Sequence, residues 1–211
     1  HILTTPIEHH AVLAPLARLK KEGFEIEFLK VDETGLVDII DLKNKLRADT
    51  ILVTIMHANN EIGTIEPIEE IGREILKFRK ENGGVYPYFH SDACQSAGYL
   101  ELNVEKMHVD LLTFNGSKIY GPKGTGVLYV RRGVKIRPQI IGGEQESGLR
   151  AGTENIAGIV GLTESFKIVQ SQKEKEFSRL AKLTKYFYKK LQENIKDIQL
   201  NGPEVGDRKS T

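Results

Sequence analysis

Polar and glycine-rich residues collect in three short runs of this chain, each directly behind an apolar stretch: His57-Ala58-Asn59-Asn60-Glu61, Asp92-Ala93-Cys94-Gln95-Ser96 and Asn115-Gly116-Ser117-Lys118. A carboxylate can pair with a protonated ring nitrogen, and a lysine opposite it can form a Schiff base with an aldehyde. Pyridoxal 5'-phosphate (PLP) requires both. Asp92 and Lys118 are the candidates for these two tasks. Gly116 and Ser117 add backbone N–H groups and a hydroxyl, which together suit a phosphate.

Each of these residues also has a plainer reading. Lysines are mostly solvated, but one that follows an apolar strand in register with Asp92 favours a site. Asp92 could be the N-cap of a helix opening at Ala93-Cys94-Gln95, which is compatible with a site role. Cys94 reads as a small buried hydrophobe rather than a nucleophile. A metal centre built from His9, His10, His57 and His90 is disfavoured, because the carboxylates and cysteine that would complete a tetrahedral set lack ligand spacing. The run Gly121-Pro122-Lys123-Gly124-Thr125-Gly126 fails the Walker pattern, since it leads into a strand instead of a helix, and a tight turn is expected there. Arg131, Arg132 and Arg137 read either as a solvated edge or as helpers of a cofactor phosphate across a dimer contact.

The three runs can meet only if the apolar stretches before them are neighbouring parallel strands, because ligands of open α/β sheets bind outside the carboxyl ends of the strands. The pattern supports this. Residues 1–5 are apolar and strand-like; 8–22, 39–46 and 68–78 carry apolar positions at helical spacing; Phe24, Ile26 and Phe28 alternate as in a half-buried strand. Residues 51–56 form an apolar run without alternation, expected for a strand covered on both faces. Further strands are expected at 86–89, 111–114 and 126–130, so that strands alternate with helices as in a parallel α/β sheet. Residues 156–195 read as one long helix or two abutting ones, with 198–200 as the first strand of a smaller domain and 172–196 as a solvated Lys-rich face.

The bulk numbers narrow the function classes. Thirty basic residues against 29 acidic ones give a formal net charge of +1, so no overall field gathers nucleic acid or an anionic membrane surface. No stretch approaches the roughly 20 apolar residues of a membrane span. One cysteine excludes an internal disulfide framework, and a reducing cytoplasmic compartment is expected.

Taken in order, residues 5–12, Met56-His57-Ala58-Asn59-Asn60-Glu61-Ile62-Gly63, His90-Ser91-Asp92-Ala93-Cys94-Gln95-Ser96, Lys118-Ile119-Tyr120-Gly121-Pro122-Lys123-Gly124 and Arg150-Ala151-Gly152-Thr153 resemble successive blocks of the cysteine desulfurases, within the class V aminotransferase-like PLP enzymes. The resemblance implies an α/β chain of PLP-dependent transferase fold type I: a large domain with a mostly parallel central sheet at 1–153, then a long connector helix and the start of a small α+β domain at 154–211. Carried over by position, it implies that Lys118 binds PLP and moves protons, and that Asp92 holds the pyridine nitrogen. Gln95 and Asn60 would contact the ring hydroxyl or nearby substrate groups, and His9 would stack on the ring. Ser117 stands where many members have a phosphate-contacting histidine. Thr153 matches a threonine that reaches the phosphate held by a partner subunit, which implies a homodimer. The implied substrate is L-cysteine, converted to L-alanine while a mobile cysteine of the enzyme takes the sulfur as a persulfide for a sulfur-acceptor protein, in iron–sulfur cluster assembly or another sulfur-transfer pathway.

That mobile cysteine and the arginine expected to grip the substrate carboxylate belong to later segments of the family, and an early phosphate-binding loop precedes the position of His1. The chain is therefore expected to be a piece of a longer protein, with little or no turnover by itself. Asn115 and Ser117 replace residues that are commonly serine and histidine, and Glu144 interrupts a run that is often all glycine, so an altered phosphate geometry is expected. A selenocysteine lyase, a class V aminotransferase and a non-catalytic scaffold relative stand as alternatives.

Overall fold

The computed structural model describes residues 1–205. Six strands form one sheet: β1 (Ile2–Thr4), β2 (Ile26–Phe28), β3 (Leu52–Thr54), β4 (Tyr88–Asp92), β5 (Leu111–Asn115) and β6 (Gly126–Val130), in the order β2-β1-β3-β4-β5-β6. The first five are parallel and β6 runs antiparallel to β5, so the sheet is mostly parallel, as expected. Helices α1 (His10–Lys21), α2 (Ile39–Lys45) and α3 (Ile68–Asn82) connect successive parallel strands, and α4 (Ile156–Asn194) follows β6 as one continuous helix. None of the described helices is long and apolar enough to cross a membrane.

The core follows from the apolar periodicity. Leu3, Val53 and Phe89 stand in register on β1, β3 and β4 and are fully buried. Ile68, Ile71 and Ile75 bring one face of α3 into the same core. Side chains of this size contribute about 1.5–3 kcal/mol each when fully buried. Gly83 ends α3 in the left-handed conformation (φ 64°), where an ordinary side chain would be strained. The first half of α4 is also core: Leu162 and Val169 are buried, and Phe166 stacks on Phe114 of β5 with ring centroids 5.1 Å apart. Gln170 Nε2 donates to the carbonyls of Ala97 and Leu100 at 2.7 and 3.1 Å. Further along, Leu183, Tyr186 and Phe187 are at least half exposed.

Three local expectations change. β4 begins at Tyr88 because Pro87 has no N–H to give a ladder, and it runs on through Asp92, which is therefore the last strand residue rather than a loop residue. Phe24 lies outside β2, and Phe28 is 47% exposed. β2 is an edge strand whose apolar side chains line an open groove with Leu13 and Leu16 of α1. Residues 198–200 follow the end of α4 without forming a strand, since no neighbour among the described residues pairs with them.

Gly72 marks the closest approach of α3 to the segment leading into β5. A Cβ there would stand 2.4 Å from the Met107 carbonyl oxygen and 2.8 Å from His108 Cβ. Gly72→Ala is expected to destabilise the full-length protein by about 1–3 kcal/mol through overpacking. Chemical denaturation checks this, and an unchanged midpoint would mean that α3 can slide outward freely.

Candidate active site

Sheet order fixes where a site can form. The chain leaves β1 towards β2 on one side and leaves β3 towards β4 on the other, so the topological switch point lies between β1 and β3, and the carboxyl ends of the strands there are where the ligand crevice of an open α/β sheet is expected. Glu8 and His9 follow β1, Met56 to Asn60 follow β3, Asp92 ends β4, and Asn115 leads into a short 3-10 turn, Gly116–Lys118, after β5. The three runs predicted to meet do lie on adjacent parallel strands.

Asp92 is 8% exposed. Its Oδ1 accepts the Cys94 N–H at 2.8 Å, so it caps the turn that follows. Its carbonyl accepts the His57 N–H at 2.9 Å, which ties the end of β4 to the loop after β3. On the other side, the Ala93 N–H donates to the Thr113 carbonyl at 2.8 Å. Asn115 organises the third run: its Oδ1 accepts from Ser117 Oγ at 3.0 Å and from the Lys118 N–H at 3.1 Å, and its Nδ2 donates to Cys94 Sγ at 3.5 Å. The Lys118 side chain is exposed, and its positive charge reaches the Cys94 thiol. His9 caps α1, accepting the Ala11 N–H on Nδ1 at 3.1 Å with its ring exposed. Asn60 and Gln95 are half-buried.

Two expected contributors stand apart. Thr153 is exposed shortly before α4, and among the described residues no hydrogen bond or ion pair joins it to Asp92 or Lys118. Arg131 lies at the opposite end of the sheet, because β6 is antiparallel and Val130 pairs with Leu111. There it donates to both Glu105 carboxylate oxygens and to the carbonyls of Val104 and Val109, which makes it a structural arginine and not a phosphate helper. The described residues that could surround a metal ion are His1, Glu25 and Glu27, away from the four histidines weighed from sequence. Arg47 and Lys45 already neutralise those two carboxylates.

Burial dominates the electrostatics around Asp92. Glu8, 5% exposed, has its carboxyl pushed up to about 8, first by burial and further by the charges of Asp92 and Glu66. Burial also raises Glu66 to about 7 and lowers His57 and His90 to about 4. Glu8 Oε2, His57 Nδ1 and Glu66 Oε1 are buried without a hydrogen-bond partner. The Cys94 thiol is pushed up to about 12, by burial first and then by Asp92, which keeps it a neutral thiol.

Glu8, Asn59 and Glu66 were not among the residues predicted from sequence. A buried glutamate carries no signal that separates it from a solvated one, and the Asn59-Asn60 pair does not reveal which amide faces inward. Asn59 does, at 5% exposure.

These donors fit PLP. A recessed carboxylate ends one strand, a lysine and a hydroxyl-bearing turn follow the next, and Glu8 and His90, buried groups on which the Asp92 charge acts, are largely neutral at pH 7.

Two outcomes follow from the titrating groups. Cys94 is expected to be alkylated in the native full-length protein at pH 8 at least about 100-fold more slowly than in the unfolded chain, since roughly 10⁻⁴ of it is ionised. Peptide mapping after timed labelling checks this, and equal rates would contradict the buried thiol. Glu8 and Glu66 hold protons more tightly than an ordinary glutamate near 4.5, so their contribution to stability is whole below that value and is lost as pH rises through about 7 and then about 8. His57 and His90 act oppositely, contributing above 6.5 and losing that contribution as pH falls towards about 4. Between pH 6.5 and 8.5 only the carboxyl pair of these four titrates. The melting temperature of the cofactor-free protein is therefore expected to fall across that window, and to fall less in an E8Q/E66Q variant.

The family profile described as Aminotransferase class-V matches residues 1–211. The chain is 51% identical over 203 residues to the cysteine desulfurase IscS of Dictyoglomus turgidum, covering 96% of this chain and 50% of that protein. Among solved structures, a NifS-like protein superposes with a TM-score of 0.86 at 41% identity, over 91% of this chain and 51% of that one. A structure titled SspA in complex with cysteine superposes at 0.72 with 40% identity, over 79% of this chain and 47% of that one. The chain thus spans about half the length of the curated relatives it matches. With the profile matching from end to end, the chain belongs to the class V aminotransferase family.

Proposed function

We propose that the complete protein is a PLP-dependent cysteine desulfurase, which converts L-cysteine to L-alanine and passes the sulfur, through a cysteine persulfide, to an acceptor protein for iron–sulfur cluster assembly or a related pathway. The observation that carries this reading is the pair Asp92 and Lys118, set at the ends of adjacent parallel strands beside a crevice, in a chain half identical to a cysteine desulfurase. The complex of SspA with cysteine supports the substrate class.

PLP, when bound, supplies an electron sink that loosens the bonds around the amino-acid Cα. The chain's own residues hold and aim it. Asp92 takes the ring N–H, with its free oxygen aimed by the turn that Oδ1 already caps. Lys118 would hold the aldehyde carbon and, as an amine, would move the proton at the substrate Cα. His9 would lie against the ring face, and Asn60 and Gln95 would contact the ring hydroxyl or nearby substrate groups. The Asn115-Ser117 turn binds the phosphate, joined by Thr153 from a second copy, so the working form is a homodimer. Cys94 keeps its proton and is not the sulfur acceptor. We assign residues 1–153 to the PLP-binding domain and 154–211 to the connector and the start of a small domain, with the first half of α4 docked on the former. A cytoplasmic location suits this chemistry.

The test is turnover by the full-length protein. Alanine should form from cysteine with PLP present, and borohydride should trap the cofactor on the Lys118 peptide. Lys118→Ala should lower turnover by more than about 10³-fold. Trapping without any alanine formation would retain the cofactor and reject desulfuration, and no uptake of PLP would reject both.

A further inference from the structure

The two loops that diverge at the crevice are joined by buried hydrogen bonds. Glu8 Oε1 accepts from the Thr5 hydroxyl at 2.9 Å and from the Met56 N–H at 2.7 Å, linking the loop after β1 to the end of the β3 segment. Asn59 Nδ2 makes a second link, donating to the Ile7 carbonyl at 2.8 Å. Asn59 Oδ1 also accepts the Glu61 and Ile62 N–H groups at 2.8 and 2.9 Å, which curls the chain around Asn60. Both residues are 5% exposed, so water cannot replace these bonds when one side chain is removed.

We propose that Glu8 and Asn59 are positioning residues: they staple the loop that carries His9 to the loop that carries Asn60, and so fix the separation of the imidazole and the amide across the crevice. The inference rests on the PLP reading above, and it adds residues that touch neither cofactor nor substrate. His9 is otherwise held at its side chain by one cap bond of 3.1 Å, on an exposed ring. A group that must lie flat on a cofactor tolerates little drift, since a displacement of about 1 Å can cost about 10²-fold. Glu8 suits the staple chemically. The charged groups acting on it, Asp92 at the end of β4 and Glu66 before α3, both favour its protonated form, and one oxygen then serves two donors without placing a second charge beside Asp92.

The experiment is a double-mutant cycle on the full-length protein, with the PLP dissociation constant as its readout. Glu8→Ala is expected to weaken PLP about tenfold, as loss of buried hydrogen bonds does, and Glu8→Gln, which keeps the acceptor oxygen, should regain most of that. In a His9→Ala background, Glu8→Ala should cost less than about twofold, because its effect runs through His9. A residue that only stabilised the fold would give multiplying effects, and that result overturns the staple. So does an unchanged dissociation constant for Glu8→Ala. Should Glu8→Ala fail to fold, Glu8→Asp, one methylene too short to reach both donors, takes its place in the same cycle, where multiplying effects or an unchanged constant again overturn the staple. Wild-type protein that binds no PLP would instead bring down the cofactor reading, and the staple with it.

Discussion

The register of β4 between its two neighbours governs everything at the crevice. The His57 N–H and the Thr113 carbonyl clamp residues 92 and 93 from either side, at 2.9 and 2.8 Å. Side chains alternate faces along a strand, so a slip of one residue would turn Asp92 away from the crevice and place Ser91 or Ala93 there instead. Phe89, fully buried three residues earlier, opposes such a slip, because it would have to leave a close-packed core. The position of one carboxylate is thus held by main-chain bonds at its end of the strand and by apolar packing in the middle.

With Asp92 fixed, the chain must manage the charge it has buried. Two glutamates and two histidines share the neighbourhood, and full ionisation of all of them would be costly in a region poor in water. Burial settles the matter by neutralising both histidines and keeping Glu8 largely protonated at pH 7. Asp92 then stands out electrostatically because its surroundings have been discharged. The same field, added to burial, suppresses the Cys94 thiol. A carboxylate and a thiolate two residues apart would work against each other, and burial with the Asp92 charge leaves the cysteine its proton.

Much of this was legible in the sequence, and the reasons can be located. The unbroken apolar run at 51–56 and the helical spacing of Ile68, Ile71 and Ile75 each report a local requirement, of a buried strand and of a packed helix face. The three polar runs read as strand-end segments do follow adjacent parallel strands. What stayed hidden depends on long-range placement. Arg131 read as a candidate phosphate helper because sequence does not show that β6 reverses direction and carries it to the far end of the sheet. Phe28 read as core because alternation does not distinguish an edge strand from a central one. Glu8 passed unnoticed because its acceptor role is made by Met56, 48 residues away.

Helix α4 shows how one element can serve two mechanical ends. Its first turns belong to the large sheet: Leu162 and Val169 are buried, Phe166 stacks on β5, and Gln170 binds two carbonyls of the turn after Asp92. Those bonds also brace the turn that Asp92 caps. Its later turns carry Leu183, Tyr186 and Phe187 in the open. Anchored at one end on the sheet and open at the other, α4 ties the turn after Asp92 to the core while its far half stays uncovered.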